Sequence, residues 1–272
     1  MNKRTTLNVF TDTHCHLDFE IFDQDRKEVI ERAKQAGLCF ILNPGIDLQT
    51  STVTIKLANT YPGFIYTAIG FHPNYGSQWD HNSMHGLKNL AEDHSVLAIG
   101  EIGLDYYRDY TPRNLQYDIF LKQLTLAKEL DLPVLIHNRD ASQDVLPILS
   151  DWVKSLPKDS HLKQYPGVLH SYSDTLEVAQ TAISLKFMIG ITGPVTFNNA
   201  DERKRIVANL PLESILLETD APFLTPHPHR GKRNEPAYIP LIAEIIANLH
   251  GTDVYTVAEI TYQNARKLLN FQ

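Results

Sequence analysis

The chain has 272 residues, 43% of them hydrophobic and 21% charged, with a formal net charge of −7. That composition suits a globular protein with an ample core, and no apolar run approaches the roughly 20 residues a membrane span needs. The acidic balance gives no electrostatic sign of a nucleic-acid partner, so a polyanionic ligand would need cations supplied locally by a loop or by metal ions. Two cysteines, Cys15 and Cys39, make no disulfide framework. The opening MNKRTTLNVF has a basic pair but no apolar segment of a secretory signal, so a cytoplasmic protein is expected.

Short apolar runs rich in β-branched residues recur, each followed by a helical pattern. NVFTDTH (8–14) reads as the first strand, and 25–36 as a helix with Val29, Ile30 and Ala33 on one face. CFILNP (39–44), FIYTAIGFHP (64–73) and VLAIGEIG (96–103) are the next three strands. Thr111-Pro112 marks a helix start, and 113–130 carries Phe120, Leu124, Ala127 and Leu130 along one stripe. PVLIH (133–137), GVLH (167–170), FMIGI (187–191) and SILLETD (214–220) complete the strands, and helices over 236–249 and 253–269 end the chain. Eight strands alternating with helices predict a (β/α)8, TIM-like barrel with extra C-terminal helices, as one domain over 1–272. A doubly wound open sheet would carry a glycine-rich loop after the first strand, where this chain has THCHLD.

In such a barrel the C-terminal strand ends converge on one mouth, where chemistry sits. His14 and His16 end the first strand, His72 the third, His137 the fifth, His170 the sixth and Asp220 the eighth; Glu101 lies within the fourth. Residues two apart on a strand share a face, so His14 and His16 can chelate one ion while Cys15 points away. A lone histidine at a strand end is more often a hydrogen-bonded structural residue than a ligand, and Asp220 before Ala221-Pro222 reads equally as a turn residue. Glu101 differs: a carboxylate between Ile99-Gly100 and Ile102-Gly103 is costly unless paired or bound to metal. With His72 set aside, six imidazole and carboxylate groups toward the ends of five strands favour a metal site over six separate coincidences. With no thiolate, the set suits Zn²⁺, Mn²⁺ or Mg²⁺. Two ions roughly 3.5–4 Å apart, bridged by Glu101, is the economical arrangement.

Several segments in order give a resemblance over essentially the whole chain: DTHCHLD (12–18), AIGFHP (68–73), AIGEIGLDYY (98–107), LPVLIHNRDA (132–141), VLHSYS (168–173), LLETDAPFLTP (216–226), RGKRNEP (230–236) and TYQNARKLL (261–269). Together they resemble the TatD family of metal-dependent deoxyribonucleases, within the amidohydrolase-like metal barrels. The resemblance implies divalent-metal hydrolysis of DNA with 3′→5′ exonuclease activity, and it implies His14, His16, Glu101, His137, His170 and Asp220 as ligands. After the sixth-strand histidine, members often carry an aromatic residue followed by Ser-Gly or similar small residues; this chain has Ser171-Tyr172-Ser173-Asp174, a difference confined to the following loop.

The expected roles follow. His14, His16 and Asp220 hold one ion, His137 and His170 the second, and Glu101 bridges; Asp220 also accepts a proton from the attacking water. His72 bonds a phosphate oxygen or acts as an acid. Arg108, Arg139, Arg230 and Arg233 are candidate substrate contacts, since a guanidinium grips phosphate bidentately, although a surface salt bridge is its commoner fate. The HPHRGKRNEP run (227–236) is the most basic short segment and would overhang the mouth. The expected partner is DNA, single-stranded or approached from an end, with no membrane and a monomeric chain. The competing readings are an ester or amide hydrolase such as an aminoacyl-tRNA deacylase, and a barrel scaffold without catalysis.

Overall fold

The computed structural model describes residues 9–108 and 110–270; residue 8, expected to open the first strand, lies outside them. Eight strands form one parallel sheet in chain order: β1 (Phe10–Asp12), β2 (Leu38–Pro44), β3 (Ile65–Ile69), β4 (Val96–Asp105), β5 (Val134–Arg139), β6 (Gly167–Leu169), β7 (Met188–Ile191) and β8 (Ile215–Leu217). Helices α1 (Arg26–Gln35), α2 (Leu48–Thr60), α3 (Ser83–Leu90), α4 (Arg113–Leu130), α5 (Ser142–Ser155), α6 (Leu176–Ser184) and α7 (Asp201–Ala208) fill the crossovers. Then α8 (Ile239–His250) and α9 (Val254–Leu269) close the chain. This is the TIM-like barrel expected from the alternation of strand and helix.

The strands are apolar on both faces, as strands covered by helices outside and by packed side chains inside must be. Phe40, Leu42, Ala68, Ala98, Leu135, Val168, Met188 and Leu216 form one buried cluster with Ala265, Leu268 and Leu269 of α9. The intervening residues Ile41, Ile69, Ile99, Val134, Ile136, Ile189, Ile215 and Leu217 pack in a second cluster with helix residues such as Val29, Phe120, Leu149 and Ile246. That period-2 split separates the barrel's filling from its helical coat. It also places α9 against the interior cluster, so the C-terminal helix stoppers the barrel. Asn264 anchors it by donating from Nδ2 to the carbonyls of Leu212 (2.8 Å) and Ile215 (2.9 Å).

Where the chain leaves the strands, the structure is more irregular than the alternation suggests. β1 ends at Asp12, and the next residues continue beside both neighbours without forming a strand. Thr13 N donates to Leu217 O (3.0 Å), Cys15 N to Leu42 O (3.1 Å), Asp220 N to His14 O (2.8 Å) and His16 N to Ala221 O (2.8 Å). These bonds join the β1 and β8 sides and fix the backbone of the segment carrying His14 and His16. β3 likewise stops at Ile69, leaving Gly70, Phe71 and His72 to lead into a short 3-10 helix from Pro73.

Candidate metal centre

Alternation along the Thr13–Leu17 segment decides what each side chain meets. Cys15 is fully buried in the apolar cluster with Leu17 and Phe22. The rings of His14 and His16 turn the other way, and their Nε2 atoms stand 3.2 Å apart. Behind them, buried Asp12 accepts from His14 N (3.2 Å), Thr219 N (2.9 Å) and Thr219 Oγ1 (2.5 Å). Burial pushes its carboxyl up to about 8, against the pull of those donors. Asp12 thereby ties the His14 backbone to the turn carrying Asp220, which has φ 54. Aspartate is among the few residues that adopt this left-handed conformation readily.

Glu101 projects from the middle of β4 and is 3% exposed. Its two oxygens look in different directions. Oε2 lies 3.4 Å from His14 Nε2 and 3.9 Å from His16 Nε2. Oε1 lies 2.7 Å from His137 Nδ1, 3.6 Å from His72 Nε2 and 3.7 Å from His170 Nε2. Asp220 Oδ1 completes the rim at 3.7 Å from His16 and 3.9 Å from both His14 and His170. Three overlapping sets could each hold a cation: His14, His16 and Asp220; His14, Glu101 and His170; His72, Glu101 and His137. Atoms about 2.1 Å from one ion lie roughly 3.0–3.4 Å from each other, close to the spacing seen here. The donors are all nitrogen and oxygen, which fits a hard or borderline divalent cation and excludes a thiolate site.

Hydrogen bonds on the far side of His170, His137 and His72 orient these three rings. His170 donates from Nδ1 to Glu218 Oε2 (3.2 Å), leaving Nε2 facing the cluster. His137 bonds carboxylates on both sides, Nε2 to Asp105 Oδ2 (3.2 Å) and Nδ1 to Glu101 Oε1 (2.7 Å), which favours a proton on each nitrogen; a cation held at Nδ1 would replace the proton that faces Glu101. His72 is the reverse case. Its Nδ1 accepts from Asn74 N (3.0 Å), so neutral His72 carries its proton on Nε2, toward the cluster. His72 thus faces the centre as a hydrogen-bond donor. Burial and His137 lower its pKa to about 3, which keeps the ring neutral. Of the two roles expected for His72, bonding a phosphate oxygen or acting as an acid, a neutral ring with its N–H toward the cluster suits the first.

The charges are arranged to keep Glu101 ionised. Burial opposes its charge, but His72, His170 and His14, with the His137 hydrogen bond, hold the carboxyl well below the ordinary range. Burial also opposes a charge on His170, yet Glu101, Glu218 and Asp220 raise it to about 9, so its Nε2 holds a proton until a cation takes that place. Asp220 is lifted to about 6, chiefly by burial.

The four arginines expected at the substrate have different places. Arg139 lays its guanidinium 3.9 Å over the Tyr107 ring. Arg108 lies 5.7 Å from the rings of Tyr107 and Tyr110. Arg230 sits 4.4 Å over Phe197. Arg233 is engaged elsewhere: it grips Asp25 with both nitrogens (2.7 and 2.6 Å) and lies over Phe22. Its fork matches a carboxylate 208 positions away, so it holds the 227–236 loop to the start of α1. Neighbouring Glu235 makes a second bidentate pair with Arg32, and buried Asn234 donates to Thr219 O and Phe223 O.

Sequence reasoning passed over Glu218, which is fully buried and also accepts from Ser171 N (2.9 Å) and Thr13 Oγ1 (3.4 Å). Its signal was the spacing in LLETD, where Glu218 and Asp220 are two apart. Gly190 makes room for it, since a Cβ there would come within 2.2 Å of the Glu218 carboxylate. Partners of this kind typically change metal affinity about 10–100-fold. We expect Glu218→Gln to weaken divalent-metal affinity by that range with little change in circular dichroism, as read by competition against a chromogenic chelator.

Comparison with known proteins places the chain in a family. The family model described as TatD related DNase matches residues 11–270. The chain is 42% identical over 257 residues to an uncharacterized metal-dependent hydrolase, YabD, of Bacillus subtilis, covering 94% of this chain and 97% of that protein. It is 39% identical over 256 residues to the 3′-5′ ssDNA/RNA exonuclease TatD of Rahnella sp., covering 91% and 93%. The crystal structure of YJJV, a TatD homologue from Escherichia coli, superposes with a TM-score of 0.89 at 31% identity, over 97% of this chain and 99% of that one. The chain belongs to the TatD-related DNase family.

Proposed function

We propose that this protein is a nuclease that uses two divalent cations, Mg²⁺, Mn²⁺ or Zn²⁺, to shorten single-stranded DNA or RNA from its 3′ end. The observation that carries this reading is the division of Glu101, with one oxygen facing His14 and His16 and the other facing His137 and His170. His14, His16 and Asp220 would hold one cation and His137 and His170 the other, with Glu101 between them. His170 also lies close to His14, their rings stacked at 3.4 Å, so the two halves are contiguous. The relatives named as 3′-5′ ssDNA/RNA exonucleases support the choice of bond and substrate.

Magnitudes favour this reading over side-chain acid–base work alone. Phosphodiester hydrolysis requires lowering a barrier by up to roughly 23 kcal/mol, whereas one general base supplies about 3–5 kcal/mol. Divalent cations held by these residues would supply the rest, since a bound cation lowers the pKa of water toward about 7 and offsets charge developing on the phosphate. The residues do the rest. The Asp220 side chain, 15% exposed, is the more open carboxylate of the cluster and is placed to accept a proton from the attacking water. His72 offers its Nε2–H to a phosphate oxygen. The buried carboxylates behind His137 and His170 keep those rings from rotating, and Asp12 holds the His14 backbone, so the site is ordered before substrate arrives.

The decisive experiment is a panel of single-stranded DNA, duplex DNA, an aryl lactone and an aminoacyl-tRNA, each with Mg²⁺, Mn²⁺ or Zn²⁺ and then with chelator. Metal-dependent shortening of single-stranded DNA, stopped by chelator, is the expected result; ester turnover without loss of DNA would replace the nuclease by a deacylase. Two substitutions separate the roles within the cluster. Glu101→Ala should lose both metal and turnover while remaining folded, and retained turnover would remove Glu101 from the mechanism. His72→Ala should keep its metal content and lose about 10²-fold in kcat, the usual cost of one missing donor to a developing charge.

A further inference from the structure

The mouth of the barrel exposes aromatic rings. Among the described residues six aromatic side chains are strongly exposed: Tyr75, Tyr107, Tyr110, Tyr117, Phe223 and Tyr255. Four of them, Tyr75, Tyr107, Tyr110 and Phe223, lie just after β3, β4 and β8, on the face where the metal cluster opens. Isolated exposed rings need no explanation, but a concentration around one site does.

The rings form two walls that contact the cluster from opposite sides of the barrel. On the β1–β8 side, Phe19 stacks on His16 at 4.7 Å, and Phe223, 53% exposed, meets the edge of Phe19 at 6.1 Å. Across the mouth, Asp105 binds His137 with one oxygen and accepts from Tyr107 N (3.0 Å) and Arg108 N (2.8 Å) with the other. Tyr107, 61% exposed, carries the Arg139 guanidinium on its ring. Arg108 donates to Tyr110 Oη (3.2 Å). Among the described residues, Arg108 and Arg139 make no ion pair with a carboxylate, unlike Arg233 and Arg32. Each wall is thus coupled to a ligand of a different half of the cluster.

We propose that Tyr107 with Arg139, and Phe223 with Phe19, are base-stacking platforms on either side of the scissile position, so that the site accepts only nucleic acid whose bases are unpaired. This rests on the nuclease reading and specifies what part of the substrate the mouth recognises. A ring takes the flat face of any base, so the platforms are tolerant of sequence. In a duplex those faces are covered by neighbouring base pairs and are not available to a flanking ring. Arg108 and Arg139 supply the local cations that an acidic chain needs to hold a phosphate backbone.

The test compares the full-length wild-type protein with Tyr107→Ala, Phe223→Ala and Tyr107→Phe, and with Tyr255→Ala as a control far from the mouth. Substrates are oligothymidylate and versions with one reduced abasic residue at successive positions from the 3′ end. KM and kcat are measured with Mn²⁺, and binding to the metal-free protein is measured by fluorescence anisotropy. Both alanine variants should raise KM and weaken binding about 5- to 100-fold, the range for loss of one stacked base, with kcat changed much less. Tyr107→Phe should restore wild-type values, and Tyr255→Ala should match them. At one position per wall, an abasic residue should weaken wild-type binding and remove the difference between wild type and variant. Unaltered binding in both alanine variants, or abasic effects that simply add to theirs, would overturn the platforms. Absence of metal-dependent shortening by the wild-type protein would instead overturn the nuclease reading, while anisotropy would still report on stacking.

Discussion

The architecture depends on a carboxylate placed where water cannot reach it. Glu101 sits within an apolar strand and is almost fully buried, a position that costs several kcal/mol for an unpaired charge. It is tolerated because imidazoles approach both of its oxygens, two from one side and three from the other. The same arrangement means that this side chain cannot be satisfied by one neighbour alone. The groups around it come from β5 and from the segments following β1, β3, β6 and β8, so the whole barrel must close before Glu101 has its partners. Fold and site are therefore one problem.

A ring of carboxylates behind the imidazoles carries that order outward. Asp12 secures the His14 backbone and the Thr219 turn; Glu218 orients His170; Asp105, itself held by Asn74, orients His137. His72 lacks such a carboxylate and accepts a backbone N–H instead. That single difference in partner leaves His72 a donor toward the cluster, while His137 and His170, each held on its far nitrogen by a carboxylate, would have a lone pair to give a cation. The backbone bonds joining His14 and His16 to Asp220 and Ala221 do the remaining work, holding one edge of the cluster to the other across the β1–β8 junction.

Much of this could be read from the chain. Alternating apolar strands and helices define the barrel, because the period-2 split between interior residues such as Phe40 and Leu42 and coat residues such as Ile41 is a local property of each strand. The residues now found together at the mouth could be named because a barrel brings every strand end to one face. What lay beyond reach depended on pairs distant in sequence. Arg233 looked free to meet phosphate, but Asp25 claims it from the start of α1. The tautomer of His72 is set by the backbone of Asn74, which depends on the 3-10 turn after β3 rather than on any motif. Glu218 was hidden in the same LLETD run as Asp220, since alternation places both toward the mouth without saying which meets the cluster and which supports it. Phe223 followed Pro222 as one more loop residue until Phe19 and His16 were seen beside it.

The chemistry suggested by the cluster and the recognition suggested by its rim meet in one picture: a strand of nucleic acid lies across the mouth, its backbone over the cations and its bases against flanking rings. All of it requires that two cations bind on opposite sides of Glu101. Anomalous diffraction from crystals of the Mn²⁺-loaded protein tests this most directly. The account predicts two peaks, one within coordination distance of Glu101 Oε2 and His14 or His16, the other of Glu101 Oε1 and His137 or His170. A single peak at saturating Mn²⁺, or peaks that leave Glu101 uncoordinated, would contradict it.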